Sequence, residues 1–374
     1  MTIVVFFAFL LVLVLIELIY YGKHAMEDLD LDVRFSKPVA GHGEMIEVIE
    51  VAQNNKKLRL PFVLLKFEAP TAIEFQDMTN TSVSDLLYRE DMLSMKPFSR
   101  HTRKIKAKCL RRGYYTFPRI TISSTDLLFI EKLSREFPND ATLTILPQRL
   151  SPDEIRTLLS ITFSDIQQRR TLLTDPFSFA GIREYQPWDP MKSVNWTASA
   201  KVGDYMVNQN ASTSTKKVTV FLNLDFYNQK RSMPLLEKSI SLAFTYLCEL
   251  SEQGIPTLLF ANGVDTVTKS PVISEQASVD VTKPAIDLAR VDLNADRVSF
   301  IELVENNIGS TGIDDLIVII SPRSDSNIQN YLIDLKQRRT SMKWVIPTYK
   351  STPLPPLDAE LSSNIIKWEV SGHD

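Results

Sequence analysis

Cysteine, histidine and glycine are scarce in this chain, and each scarcity removes a class of chemistry. The two cysteines, Cys109 and Cys248, lie far apart, so the sequence predicts buried, inert thiols and no disulfide framework or redox site. The four histidines, His24, His42, His101 and His373, are scattered, without H-E-x-x-H, C-x-x-C or a pair at helical spacing, which leaves a transition-metal centre or a histidine-based triad without a local scaffold. Glycine numbers 11 in 374 residues, well under the usual ~7%. Neither G-x-x-x-x-G-K-[ST] nor G-x-G-x-x-G occurs, so a glycine-rich phosphate cradle is not expected. Net basic charge is absent too: 42 Lys and Arg stand against 45 Asp and Glu, and nothing draws the chain onto nucleic acid.

What is present begins with MTIVVFFAFLLVLVLIELIYYGKHAM. Ile3 to Ile16 contains no polar residue, and the run continues past Glu17 to Tyr21, about nineteen residues or about 29 Å of helix, enough to cross a hydrocarbon core. No Lys or Arg precedes the run, and it exceeds the usual signal-peptide core, so an uncleaved single-pass anchor is expected over a cleaved leader. Tyr20 and Tyr21 suit the interface. Lys23 and His24 follow the span while nothing basic precedes it, which places the body of the chain in the cytoplasm.

Residues 29–148 alternate with period two. Glu44 to Val51, a turn at Asn54-Asn55-Lys56-Lys57 and Phe62 to Phe67 read as a hairpin. Thr102 to Cys109, Tyr114 to Phe117, Ile120 to Ile122 and Ala141 to Leu146 read as further short strands, together an all-β, sandwich-like domain. The basic run from Arg100 to Arg112 reads as a solvated strand face, with acidic partners or lipid headgroups as the alternative. Beyond a helical linker at 149–180, strands and helices alternate. Val218 to Leu224, Thr257 to Phe260, Leu316 to Ile320 and Trp344 to Ile346 are strand runs. Between them lie apolar faces at helical spacing: Leu236 to Leu250 before Gly254, Phe300 to Val304 before Gly309, and Ile328 to Leu335. That order predicts an α/β domain with a doubly wound parallel sheet over 181–350, followed by a C-terminal tail at 351–374. Ligands of such sheets sit at the carboxyl ends of the strands, here Asn223 and Asp225, Asn262 and Asp265, and Ser321, Arg323 and Asp325.

One stretch, GIREYQPWDPMKSVNWTASAK at 181–201, concentrates aromatic and charged residues. Asp189-Pro190 reads as a helix start with a capping carboxylate, and Met191, Val194, Ala198 and Lys201 as one face of a helix ending near Gly203. Trp188 and Trp196 are then packing residues. Two alternatives stand beside this: a docking surface built on Arg183 and the aromatic residues, and a general acid or base at Asp189 or Glu184.

These residues resemble a bacterial family catalogued as domain of unknown function 58 (DUF 58). The family's Arg-Arg-Gly-x-Tyr element is matched by Arg111, Arg112, Gly113 and Tyr115. Its signature R-E-Y-x-x-x-D-x-x-x-x-I-x-W-x-x-x-A-[RK] is matched by Arg183, Glu184, Tyr185, Asp189, Val194, Trp196, Ala200 and Lys201. The resemblance implies a von Willebrand factor A-like α/β domain, and as partner a MoxR-type AAA+ ATPase, whose genes neighbour those of the family. The chain is then a membrane-anchored interaction scaffold or adaptor in assembly or envelope maintenance, and not an enzyme. Two departures are informative. Where members show D-P-F-G-L, this chain has Ser124-Thr125-Asp126-Leu127-Leu128. Magnesium-binding von Willebrand A domains present D-x-S-x-S after the first strand, but this chain reads Asp225-Phe226-Tyr227-Asn228-Gln229, lacking the hydroxyls that suit a hard cation. Arg323, between Ser321 and Asp325, puts a cation beside this degenerate site. No cofactor, magnesium included, is therefore expected. The alternative function is a metal-dependent or carboxylate-based hydrolase at the strand ends.

Overall fold

A computed structural model describes residues 2–126, 128–172, 179–210, 217–225, 229–312, 315–339, 341–349 and 354–370. The chain divides into two compact units, 1–148 with 285–292, and 149–284 with 293–374.

The first unit opens with helix α1 (Thr2–His24) and continues through β1 (Leu29–Phe35), β2 (Val39–Ala40), β3 (Met45–Asn54), β4 (Leu60–Ala69), β5 (Ile73–Phe75), β6 (Thr81–Val83), β7 (Leu87–Met95), β8 (Arg100–Cys109), β9 (Gly113–Thr125) and β10 (Lys132–Ile145). Ile3–His24 is long and apolar enough to cross a membrane, a property shared by membrane spans and signal sequences, and its most apolar window is not buried. The strands form two sheets, ordered β1-β3-β8-β5 and β2-β10-β9-β4-β7-β6. Their inner faces close over one core that includes Val48, Leu65, Phe67, Phe75, Phe117 and Ile122, because alternation sends every second side chain to the same face. In β8 the burial is equally regular: Ile105, Ala107 and Cys109 point inward while Lys104, Lys106 and Lys108 face solvent, as expected of a solvated strand face.

The expected hairpin is not formed. β3 pairs with β1 and β8, whereas β4 pairs with β7 and β9 in the other sheet. Residues between them cross from sheet to sheet, which lets both strands bury one face in the shared core. Tyr114–Phe117 and Ile120–Ile122 belong to the single strand β9.

The second unit contains α2 (Pro152–Leu172), β11 (Phe179–Glu184), α3 (Trp196–Val202), β12 (Met206–Asn210), β13 (Val218–Leu222), α4 (Gln229–Glu252), β14 (Thr257–Asp265), β15 (Pro271–Ile273), α5 (Thr282–Arg290), β16 (Val291–Asp292), α6 (Phe300–Asn307), β17 (Leu316–Ile320), α7 (Ser326–Arg338), β18 (Met342–Thr348) and β19 (Ile365–Glu369), with α5 from Ala285 onward and β16 counted in the first unit. The main sheet runs β15-β14-β13-β17-β18-β19, parallel throughout except at β15. All five side chains of β17 are buried, each worth roughly 1.5–3 kcal/mol relative to exposure, which is why that strand reads as an unbroken apolar run. α6 and α7 pack with Phe221, Ile317, Ile319 and Trp344 in one cluster. α4 lies against β13, β14 and β18 through residues outside that cluster, so both faces are covered.

Two expected segments take other roles. Within 149–180, expected as a linker, α2 is packed into this unit: Ile155, Leu158 and Thr162 are buried, and Trp368 Nε1 donates to Glu154 O at 2.8 Å. From the expected tail, β19 joins the sheet beside β18.

Candidate functional site

The 181–201 stretch lies on a small framework of its own. β11 and β12 form an antiparallel ribbon, and the chain between them folds back so that Val194 bridges Val207, both buried. The single helix expected from Asp189 is broken. Met191–Ser193 form one 3-10 turn, Val194 is extended, and α3 starts only at Trp196. Asn195 caps α3 through Oδ1, which accepts from Ala198 N at 3.0 Å, and Gly203 ends it at φ +91°, a left-handed conformation suited to glycine. Val194 leaves the helix because the bridge to β12 requires extended backbone there.

Asp189 therefore caps no helix. Arg183 grips it with both guanidinium nitrogens, each at 2.6 Å from a carboxylate oxygen, and Gln186 N donates to the same carboxylate at 2.9 Å. The Arg183 guanidinium, helped by that amide, holds the Asp189 carboxyl below its ordinary pKa. This bidentate geometry fixes the turn 186–189.

The tryptophans are not packing residues. Trp188 is 78% exposed and Trp196 60%. Trp196 stands edge-on to Tyr205 at 6.2 Å, and Tyr205 to Tyr185 at 6.0 Å. Met191 and Val202 are exposed as well, and Glu184 and Lys201 face solvent at the border. Tyr205, Met191 and Val202 were missed in the sequence. The signal for Tyr205 was an aromatic residue placed just past the glycine that ends the helix.

The strand-end residues meet, but on one another. Asn262 Nδ2 donates to Asp225 Oδ1 at 2.7 Å, and Arg323 lies between two carboxylates, with NH1 3.7 Å from Asp225 Oδ2 and Nε bonded to Asp325. Asp325 also caps α7 through Ile328 N at 3.0 Å. Ser321 accepts from Asn223 Nδ2 at 3.0 Å and donates to Arg323 O at 2.7 Å. Burial pushes the Asp225 carboxyl above its ordinary pKa against the pull of Asn262 and of Arg323 and Arg297. A cleft of about 510 Å³ opens here, lined by Asp225, Asp296, Arg297, Ser299 and Arg323 among others. Asp265 closes its own turn, accepting from Val267 and Thr268 amides. Tyr227 lies outside the described residues, and no group of three or more His, Cys, Asp or Glu able to hold a metal occurs among those described.

The Arg-Arg-Gly-x-Tyr element is a clamp. Tyr115 Oη donates to Arg112 O at 2.9 Å, folding its ring over Gly113, where a Cβ would meet Tyr115 Oη at 2.6 Å. Arg112 NH1 donates to the carbonyls of Leu288, Ala289 and Val291, satisfying the end of α5. Both cysteines are free, and burial raises the Cys109 thiol to about 11.

No family model and no curated protein matches the chain. Among solved structures it is similar to the CARDB domain of a Pyrococcus furiosus protein (16% identity, 32% of this chain, 96% of that one, TM-score 0.20). It is also similar to a non-cellulosomal cohesin from Archaeoglobus fulgidus (14%, 34% and 96%, TM-score 0.23) and a type I cohesin from Pseudobacteroides cellulosolvens (13%, 32% and 94%, TM-score 0.20). At such scores the likeness carries no argument about function.

Proposed function

We propose that the chain is a membrane-anchored adaptor of the DUF 58 type. α1 holds it in the membrane with the body in the cytoplasm, its second unit is a von Willebrand factor A-like domain, and its partner is a MoxR-type AAA+ ATPase. The observation that carries this reading is the exposure of Trp188 and of the paired Trp196 and Tyr205 on a frame stiffened by the Arg183–Asp189 pair. Solvent gains nothing from two exposed tryptophans, whereas Trp, Tyr and Arg are the residues that anchor protein interfaces. A pre-ordered frame lowers the entropy lost on binding. The hydrolase alternative is weaker, because the Asp225 carboxylate is already engaged by Asn262 and Arg323 and offers no free base or metal ligand.

The test is a crosslinked pull-down from native membranes with wild type and the Trp188→Ala/Trp196→Ala double variant. The expected outcome is a AAA+ ATPase recovered with wild type and lost with a variant that melts normally. Equal recovery with both, or no ATPase with wild type, overturns the proposal.

A further inference from the structure

In the loop between β9 and β10 the apolar residues Leu128, Phe129 and Ile130 point outward. Leu128 is 49% exposed, Phe129 59% and Ile130 62%. Phe62, 42% exposed, packs its ring tilted against Phe129 with centroids 4.6 Å apart. This display is built in. The buried Asp126 carboxylate accepts the amides of Leu128, Ile130 and Glu131 at 3.3, 2.7 and 2.8 Å, and Phe129 is held at φ +59°, a conformation a bulky residue adopts only when its surroundings impose it.

The loop's neighbour supplies the reason. Glu131 Oε2 lies 3.6 Å from where a Cβ on Gly22 would stand, so the turn sits against the last turns of α1. That end of the helix is welded to the sandwich. Tyr21 and Ala25 are buried in its core, Tyr21 Oη donates to Arg59 O at 3.1 Å, Lys56 Nζ donates to Ala25 O at 2.6 Å, and Arg135 NH1 to Met26 O at 2.9 Å. Helix and loop therefore hold one fixed relation. Along α1, Val14, Glu17 and Leu18 are half-buried and Tyr21 is buried, helical spacing over about 10 Å of rise. Lys132 lines the hollow beside Phe62 and Phe129, the charge that favours anionic headgroups.

We propose that Leu128, Phe129, Ile130 and Phe62 form a wedge that dips into the lipid bilayer beside α1, a second membrane contact that sets the tilt of the sandwich. The occupant is lipid because the loop sits against the end of α1, whose most apolar window is uncovered, and an exposed apolar cluster beside a membrane helix meets acyl chains. This rests on α1 being a membrane anchor.

The experiment places an environment-sensitive fluorophore at Ile130→Cys, or as a control at Val12→Cys, in a Cys248→Ser background. The full chain is reconstituted into vesicles of phosphatidylcholine and phosphatidylglycerol. Expected is a blue-shifted Ile130 probe that loses most of its emission to a lipid-borne nitroxide and little to aqueous iodide, with Val12 behaving likewise. A Val12 probe in lipid with an Ile130 probe open to iodide overturns the wedge and leaves the anchor standing. An Ile130 probe shielded from both quenchers means that protein covers the loop, and overturns the wedge too. A Val12 probe open to iodide overturns the anchor, and the wedge with it.

Discussion

Raising the pH from about 5 to about 8 is expected to weaken the β sandwich through one carboxyl group, Glu50. Glu50 on β3 and Asp91 on β7 face each other between the sheets, both almost fully buried, with Arg89 buried beside them. Asp91 accepts from Arg89 Nε at 2.7 Å and from Asn80 Nδ2 at 2.9 Å, and Arg103 reaches the same carboxylate from the solvent side at 2.5 Å. Arg89 Nε is 4.0 Å from Glu50 Oε1. A cavity of about 150 Å³ adjoins the group, with His101 in its wall. Burial, then the charge of Asp91 and its hydrogen bond, raises Glu50 from 4.5 to about 8 against the pull of Arg89 and Arg103. Asp91 stays below its ordinary value, because the Asn80 and Arg89 bonds outweigh its burial. Glu50 is thus the protonated partner at neutral pH, donating to Asp91.

The sign follows from linkage. A carboxyl whose folded pKa exceeds its unfolded one favours the fold fully below 4.5, and loses that contribution progressively up to about 8. The slope is about 1.4 kcal/mol per pH unit for one proton, and the full interval amounts to at most roughly 5 kcal/mol. Glu50→Gln keeps the shape and a donor for Asp91 but cannot ionise, so its stability should fall less over the same range. All four tryptophans lie outside residues 29–148, so their fluorescence does not report this unit. Hydrogen exchange at the amides of β3 and β7, corrected for intrinsic rates, does. Parallel pH profiles for wild type and Glu50→Gln would refute the reasoning.

Trp344→Ala should cost roughly 3–5 kcal/mol, since Trp344 is completely buried. Trp196→Ala should cost about 1 kcal/mol, little more than its edge contact with Tyr205; comparable melting losses in the two would mean that Trp196 is core after all. Magnesium or manganese should not shift the melting transition. A saturable rise, which at a hundredfold excess over the dissociation constant is ~2.7 kcal/mol, abolished by Asp225→Ala, would restore a metal site. Protease added outside intact spheroplasts should spare the body of the chain, and digestion there would reverse the orientation.

Local periodicity carried some of this into the sequence and left the rest out. The apolar run of α1 and the order β13, α4, β14, α6, β17, α7, β18 were legible, because a buried parallel strand and an amphipathic helix each impose a repeat within their own residues. Alternation says which side chains share a face but not which strand lies alongside, so the pairing of β3 with β8, and of β4 with β9, emerged only from the assembled sheets. Arg89 and Asp91 share β7, but Glu50 comes from β3 in the other sheet, so nothing local announces their cluster. Trp188 and Trp196 misled for the opposite reason. The repeat Met191, Val194, Ala198, Lys201 fits one helix face, yet the bridge between Val194 and Val207 breaks that helix, and both rings are exposed. A local repeat can set the conformation of a segment, but burial depends on what the rest of the chain brings against it, and that is decided by tertiary structure alone.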